Sequence, residues 1–159
     1  SLTFDATQFA SPEVPEELNQ SFDVVFIDAP CSGLGTLRRH PEIAWNLSPE
    51  SLYDGGELTA LQTKLLQSCG SRVEIGGYLV YATCSLSNSE NQQVIEDFLA
   101  SSEGSHFEVQ SLFECPARVC LTSEAQEFLD TCITPEGFLQ TAFASADCDA
   151  HFMAVLKRK

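Results

Sequence analysis

A short apolar run, Phe22-Asp23-Val24-Val25-Phe26-Ile27, stops abruptly at Asp28-Ala29-Pro30. A second, Tyr78-Leu79-Val80-Tyr81-Ala82, stops at Thr83-Cys84-Ser85. Continuous apolar runs of this length, bounded by turn residues, suit strands buried in a parallel sheet. Between them Leu58, Leu61, Leu65, Leu66 and Cys69 recur at helical spacing, so a helix runs to about residue 72. Ser48-Pro49-Glu50 is a helix-start signal, and Gly55-Gly56 splits that helix near its beginning.

The rest of the chain continues the alternation. Residues 10–21 read as a loop, and Cys31 to Leu47 reads as a long functional loop without a clean period. Gly76-Gly77 predicts a turn ahead of the second strand. Ser87 or Ser89 caps a helix carrying Val94, Ile95, Phe98 and Leu99. Phe107 to Leu112 reads as a strand, and residues 113–136 give no clear signal. Gly137 to Thr141 and Phe152 to Leu156 read as two closing strands. Strands alternating with helices predict an α/β fold, a parallel sheet with helices on both faces. A chain of 159 residues holds one domain of this kind.

Composition narrows the function. The net charge is −15, with only 8 Lys and Arg, which opposes binding to a nucleic-acid duplex unless another part of the protein supplies the basic surface. The few cations cluster at Arg38-Arg39 and Lys157-Arg158-Lys159. The 7 cysteines include no CxxC pair, and none of the three His lies beside a Cys cluster, so no metal site is expected. An odd cysteine count without a secretion signal fits reduced thiols in a cytoplasm. No apolar run is long enough to span a bilayer, so no membrane partner is expected. The chain opens at Ser1-Leu2-Thr3 without an initiator Met and reads as a processed or excised product.

In open α/β sheets, ligands sit beyond the carboxyl ends of the strands. Parallel strands at 22–27 and 78–82 would bring Asp28, Cys31 and Cys84 to one rim: a carboxylate and two thiols around a crevice. Such a set suits methylation at carbon 5 of cytosine, a poor nucleophile. A thiolate adding to carbon 6 pushes electron density onto carbon 5. A carboxyl group at the ring nitrogen shares a proton as that charge develops. Carbon 5 then attacks a methyl sulfonium. Loss of the carbon-5 proton and expulsion of the thiol restore the ring, and a second thiol can assist those last steps.

Asp28-Ala29-Pro30-Cys31-Ser32-Gly33-Leu34-Gly35 together with Tyr81-Ala82-Thr83-Cys84-Ser85 resembles the paired signatures of RNA 5-methylcytosine methyltransferases. Arg38-Arg39-His40-Pro41-Glu42-Ile43 and Trp45 resemble the bacterial 16S rRNA branch, the Sun or RsmB type. Leu61-Gln62, Gly76-Gly77, Glu90-Asn91 and Asp149-Ala150-His151-Phe152-Met153-Ala154 also fall where that family has them. The resemblance covers nearly the whole chain, least well at 101–136. It implies the C-terminal part of a Rossmann-like fold that uses S-adenosylmethionine (SAM). The sheet would be mostly parallel with an antiparallel closing strand, its first strands lying outside this chain.

The resemblance also implies roles. Cys84 resembles the nucleophile, and Cys31 the second cysteine that helps release product. DNA methyltransferases place their nucleophile at the position resembling Cys31, which leaves the reverse assignment open. Asp28 resembles the acid at the target base, with Pro30 shaping its loop. Asp5, in Phe4-Asp5-Ala6, resembles the residue that contacts the adenine of SAM. Arg38, Arg39 and His40 are placed to hold RNA backbone.

Each of these residues has a plainer reading. A free Cys is usually core, and that is the expectation for Cys69, Cys115, Cys120, Cys132 and Cys148. Asp28 can cap its loop, Arg38 and Arg39 can be a solvated pair, and Trp45 can pack the loop. Gly33-Leu34-Gly35 lacks the spacing of a phosphate loop. The family's Gly-rich turn for the methionine end of SAM, its ribose-binding acid and its RNA-binding region are not found in this sequence. Weak or absent SAM binding by the chain alone is therefore expected. One edge of the strand at 24–27 would also be unpaired and apolar, favouring a homodimer. Two rival functions remain: a non-catalytic interaction module that retains the fold, and a cysteine hydrolase using His40 as base.

Overall fold

The computed structural model describes residues 2–46, 48, 56–143 and 147–159. Its strands are β1 (Phe22–Asp28), β2 (Val73–Thr83), β3 (Phe107–Val109), β4 (Leu139–Gln140) and β5 (Phe152–Arg158). Its helices are α1 (Ile43–Asn46), α2 (Glu57–Gly70), α3 (Gln92–Ala100) and α4 (Ser123–Cys132). The sheet order is β1-β2-β5-β3, with β4 also on β5. β1 pairs parallel with β2, and β5 pairs antiparallel with β2, β3 and β4. Among the described residues four strands therefore run one way and β5 alone runs back between them, which is the expected mostly parallel sheet with an antiparallel closing strand.

Side-chain alternation decides what the sheet buries. Ile27, Leu79, Tyr81, Ala154, Leu156 and Phe152 point to one face and are buried. They share one core with Leu66 of α2 and with Val94, Ile95 and Phe98 of α3. In α2 the fully packed stripe is Thr59, Gln62, Leu66 and Cys69. Leu58, Leu61 and Leu65, expected on that stripe, are its half-buried flank. The helix starts directly after Gly56, where the split was expected. The start signal at residues 49–50, and Gly55, lie outside the described residues.

Three expectations change. Gly76-Gly77 does not form a turn ahead of β2 but a bulge inside it. While β1 advances from Phe22 to Val24, β2 advances from Val73 to Tyr78. Gly76 takes a φ of +82°, and a Cβ on Gly77 would stand 2.7 Å from the Asp23 carbonyl oxygen, so the bulge needs both glycines. The strand expected through Leu112 ends at Val109, and a 3-10 turn follows at Leu112–Glu114. The unread stretch contains α4, capped by the Thr122 hydroxyl accepting from the Ala125 amide.

The third change concerns layers. Helices were expected on both faces, yet α2 and α3 share one core on a single face. The opposite face carries Val24, Phe26, Tyr78, Val80, Met153 and Val155, of which Val24 is 55% and Phe26 60% exposed. β1 ends the strand order, so among the described residues its outer edge has no strand partner. An apolar unpaired edge is a template for pairing. The isolated chain is expected to self-associate in sedimentation velocity, and Val24→Lys with Phe26→Lys to return it to monomer. Sedimentation of the unsubstituted chain as a concentration-independent monomer would contradict this.

Candidate active site

The β1–β2 ladder brings the ends of both strands level, with Ile27 beside Tyr81 and Asp28 beside Ala82. It continues past the strands, since the Ala29 amide donates to the Ala82 carbonyl at 2.9 Å and the Gly35 amide to the Cys84 carbonyl at 2.9 Å. Cys31 and Cys84 therefore lie side by side, their Sγ atoms 3.4 Å apart and both half-buried. The loop between them is also tied to β5, because the Ala150 amide donates to the Gly35 carbonyl at 2.9 Å. Gly35 is needed for that approach: a Cβ there would fall 2.1 Å from the Ala150 oxygen and 2.8 Å from the Cys84 oxygen.

The two thiols are not equivalent. Burial pushes the Cys31 thiol up to about 12, and its hydrogen bond with Cys84 also raises it. At neutral pH Cys31 is a protonated group that can give a hydrogen bond to the neighbouring sulfur.

Asp28 and Asp5 line one cavity of about 410 Å³, together with Phe4, Phe26, Pro30, Leu61 and Leu65. Asp5 accepts from the Thr7 amide at 3.0 Å, the Thr7 hydroxyl at 2.8 Å and Gln8 Nε2 at 2.9 Å. Those bonds, the Thr7 hydroxyl first, hold its carboxyl below the ordinary carboxylate range. Apolar walls with two carboxylates suit a flat heteroaromatic ring carrying donors and a cationic group. Cys31 and Cys84 do not line this cavity. Asp28 is three residues from Cys31, at most about 11 Å of chain.

The cations expected at the RNA are paired within the loop's own surroundings. Arg38 Nη1 donates to Asp147 Oδ1 at 2.9 Å. Arg39 Nε donates to Asp149 Oδ2 at 2.5 Å, and this partner keeps the Asp149 carboxyl low. His40 Nδ1 lies 3.1 Å from Glu42 Oε1. His40 thus pairs with an exposed carboxylate, and among the described residues no hydrogen bond joins it to Cys31. Trp45 does not pack the loop: it is 87% exposed. Of the five cysteines expected in the core, Cys69 and Cys132 are buried, Cys115 and Cys148 half-buried, and Cys120 exposed.

Sequence reasoning missed the polar frame behind the thiols. Glu90 and Gln62 are fully buried, and Ser32 and Ser85 nearly so. Only the family pattern pointed to Glu90 and Gln62, and nothing in the sequence paired Asp149 with Arg39 across 110 positions. Among the described residues no group of three or more His, Cys, Asp or Glu is arranged to hold a metal, and no helix is long and apolar enough to cross a membrane.

A family model described as 16S rRNA methyltransferase RsmB/F matches residues 2–157. Ribosomal RNA small subunit methyltransferase F of Vibrio cholerae is 36% identical over 141 residues, covering 89% of this chain and 27% of that relative. Ribosomal RNA small subunit methyltransferase B of Thermus thermophilus is 43% identical over 94 residues, covering 59% of this chain and 22% of that relative. The solved structure of NSun6 from Pyrococcus horikoshii with SFG superposes with a TM-score of 0.68 at 18% identity, covering 99% of this chain and 34% of that one. The chain thus spans about a quarter of the length of the curated relatives it matches.

Burial of the Cys31 thiol sets how it responds to pH. The folded state keeps this proton above 9.0, the ordinary thiol value, and up to about 12. Its share of stability is therefore full below pH 9.0 and is lost as pH rises toward 12. Iodoacetamide labelling followed by peptide mapping should show Cys31 alkylation still accelerating between pH 9 and 11. A plateau near pH 9 would contradict the burial reading.

Proposed function

The chain belongs to the family of 16S rRNA methyltransferases RsmB/F, and from that premise we propose that it forms the C-terminal part of a catalytic domain that methylates carbon 5 of a cytosine in small-subunit rRNA through a covalent Cys84 adduct. The observation that carries this reading is the 3.4 Å separation of the Cys31 and Cys84 sulfurs at the ends of two parallel strands.

The cofactor is S-adenosylmethionine, of which SFG is an analogue. The cavity lined by Asp5 and Asp28 fits its adenosine end: Phe4 and Phe26 offer apolar walls, and the Asp5 carboxylate can accept from amino or hydroxyl groups, which leaves Asp28 for the target base. When bound, SAM supplies a methyl group on a cationic sulfur. The remaining work falls to the chain's own side chains. Cys84 adds as thiolate to carbon 6 of the cytosine, forming a C–S bond and moving the ring's electron pair toward carbon 5. Asp28 holds the proton shared with the ring nitrogen, and Pro30 shapes the turn that aims it. After methylation, carbon 5 gives its proton to solvent water, the C–H pair re-forms the bond to carbon 6, and the C–S bond breaks with its pair returning to Cys84. Cys31, kept protonated by burial, does not take that proton; it can give a hydrogen bond to the Cys84 sulfur as that sulfur leaves.

Arg38 and His40, both exposed at the rim, are assigned to RNA backbone, with Arg39 bracing their loop through Asp149. Most of the basic surface for rRNA is assigned to the remaining length of a protein the size of its relatives, acting in the cytoplasm. The acidity of this chain agrees with that division.

Mass spectrometry of the full-length protein with RNA containing 5-fluorocytosine tests the reading, because fluorine at carbon 5 blocks the release step. A covalent adduct is expected, and Cys84→Ala should abolish it while Cys31→Ala leaves it. Survival of the adduct in Cys84→Ala would move the nucleophile to Cys31. No adduct in any variant would favour the non-catalytic module that keeps this fold.

A further inference from the structure

Behind the two thiols lies a carboxylate that the chemistry above does not use. Glu90 ends a 3-10 turn, Asn88–Glu90, and is 0% exposed. Its Oε1 accepts from the Ser32 amide at 2.8 Å and from Gln62 Nε2 at 3.1 Å. Its Oε2 accepts from the Ser32 hydroxyl at 2.5 Å and, in a shorter bond, from the Ser85 hydroxyl. The two serine oxygens are 3.0 Å apart. The Glu90 carbonyl accepts from the Tyr81 hydroxyl at 2.7 Å, which fixes the turn to β2.

These partners share one property. Ser32 directly follows Cys31, and Ser85 directly follows Cys84. Gln62 adds the residue on the other side, donating through the same Nε2 to the Pro30 carbonyl at 3.0 Å. One side chain thus grips both cysteine-bearing loops, which come from different strands. Among the described residues, none of the side-chain partners is a cation. A carboxylate buried without a cation is unfavourable unless several donors converge on it, and here they do. A core needing only stability would do as well with apolar groups of the same volume. A carboxylate surrounded by donors from the two reactive loops instead fixes their relative position.

We infer that Glu90 is a positioning residue: it clamps Ser32 to Ser85 and so sets the spacing of the Cys31 and Cys84 sulfurs on which methyl transfer depends. This rests on the proposed function for its catalytic meaning, but the geometry can be read without it. Glu90→Gln keeps the volume and replaces one acceptor oxygen by an NH₂ group facing donors. Glu90→Asp keeps the acceptor chemistry and falls one methylene short.

Two measurements test the clamp. In the first, the full-length protein without RNA is treated with diamide, which takes up the two thiol hydrogens as the Cys31–Cys84 disulfide forms, and the product is quantified by peptide mapping. Disulfide formation depends steeply on thiol placement, so the rate should fall roughly tenfold in Glu90→Gln. In the second, kcat should fall about a hundredfold with the KM for RNA nearly unchanged, because a misplacement of about 1 Å weakens the reacting geometry and not the docking. Glu90→Asp should recover part of both.

If Glu90→Gln does not fold, Ser32→Ala and Ser85→Ala decide, since each removes one grip and retains the carboxylate. Each should slow the disulfide and lower kcat. Unchanged disulfide rates in folded variants, or a rise in KM matching the loss of kcat, would overturn the clamp. A wild-type protein that forms the disulfide readily, loses it in Glu90→Gln and never forms the fluorocytosine adduct would fail the function and keep the clamp.

Discussion

Parallel pairing of β1 with β2 is the constraint on which the site depends. A slip of one residue would turn Ile27 away from the Leu66 and Ile95 core and bring Phe26 into it. The same slip would carry Cys31 out of register with Cys84. The register is held where failure would matter most. Backbone bonds from Ala29 and Gly35 extend the ladder beyond both strands, and β5 closes over the loop through Ala150. The bulge at Gly76-Gly77 absorbs an irregular start to β2 at the far end from the thiols, so the reactive end stays regular.

Much of this was legible in the sequence because it lies in local pattern. The runs ending at Asp28 and Thr83 are apolar enough to be strands, and a strand that stops in a reactive residue marks the rim. The reversed strand β5 and the adjacent cysteines were read from the same runs and the family pattern. What escaped was of two kinds. Gly76-Gly77 looks the same whether it makes a turn or a bulge, because the choice depends on how closely Asp23 approaches from the neighbouring strand. The stripe of α2 was assigned to leucines, but Gln62 lies at its centre because it has partners at Pro30 and Glu90 that no helical period reveals.

Charge explains how the Cys31 loop is held. With 23 acids against 8 Lys and Arg, the described cations of the Cys31 loop all find carboxylates close by. Arg39 in particular joins that loop to Asp149 just ahead of β5, doing with charge what Gly35 does with backbone. Such pairs organise a loop better than they attract a polyanion, since a phosphate must first displace Asp147 to reach Arg38. A surface of this composition holds the loop through its own ion pairs.

The inequality of the two sulfurs follows from the same packing. Two thiols 3.4 Å apart cannot both ionise without repulsion. Burial holds the proton on Cys31. Cys31 thereby remains a hydrogen-bond donor beside the Cys84 sulfur. The Ser32–Glu90–Ser85 bonds join the residues that directly follow Cys31 and Cys84, so one frame holds the spacing of the sulfurs while burial holds the proton on Cys31. A frame loose enough to let Cys31 reach water would weaken both properties at once.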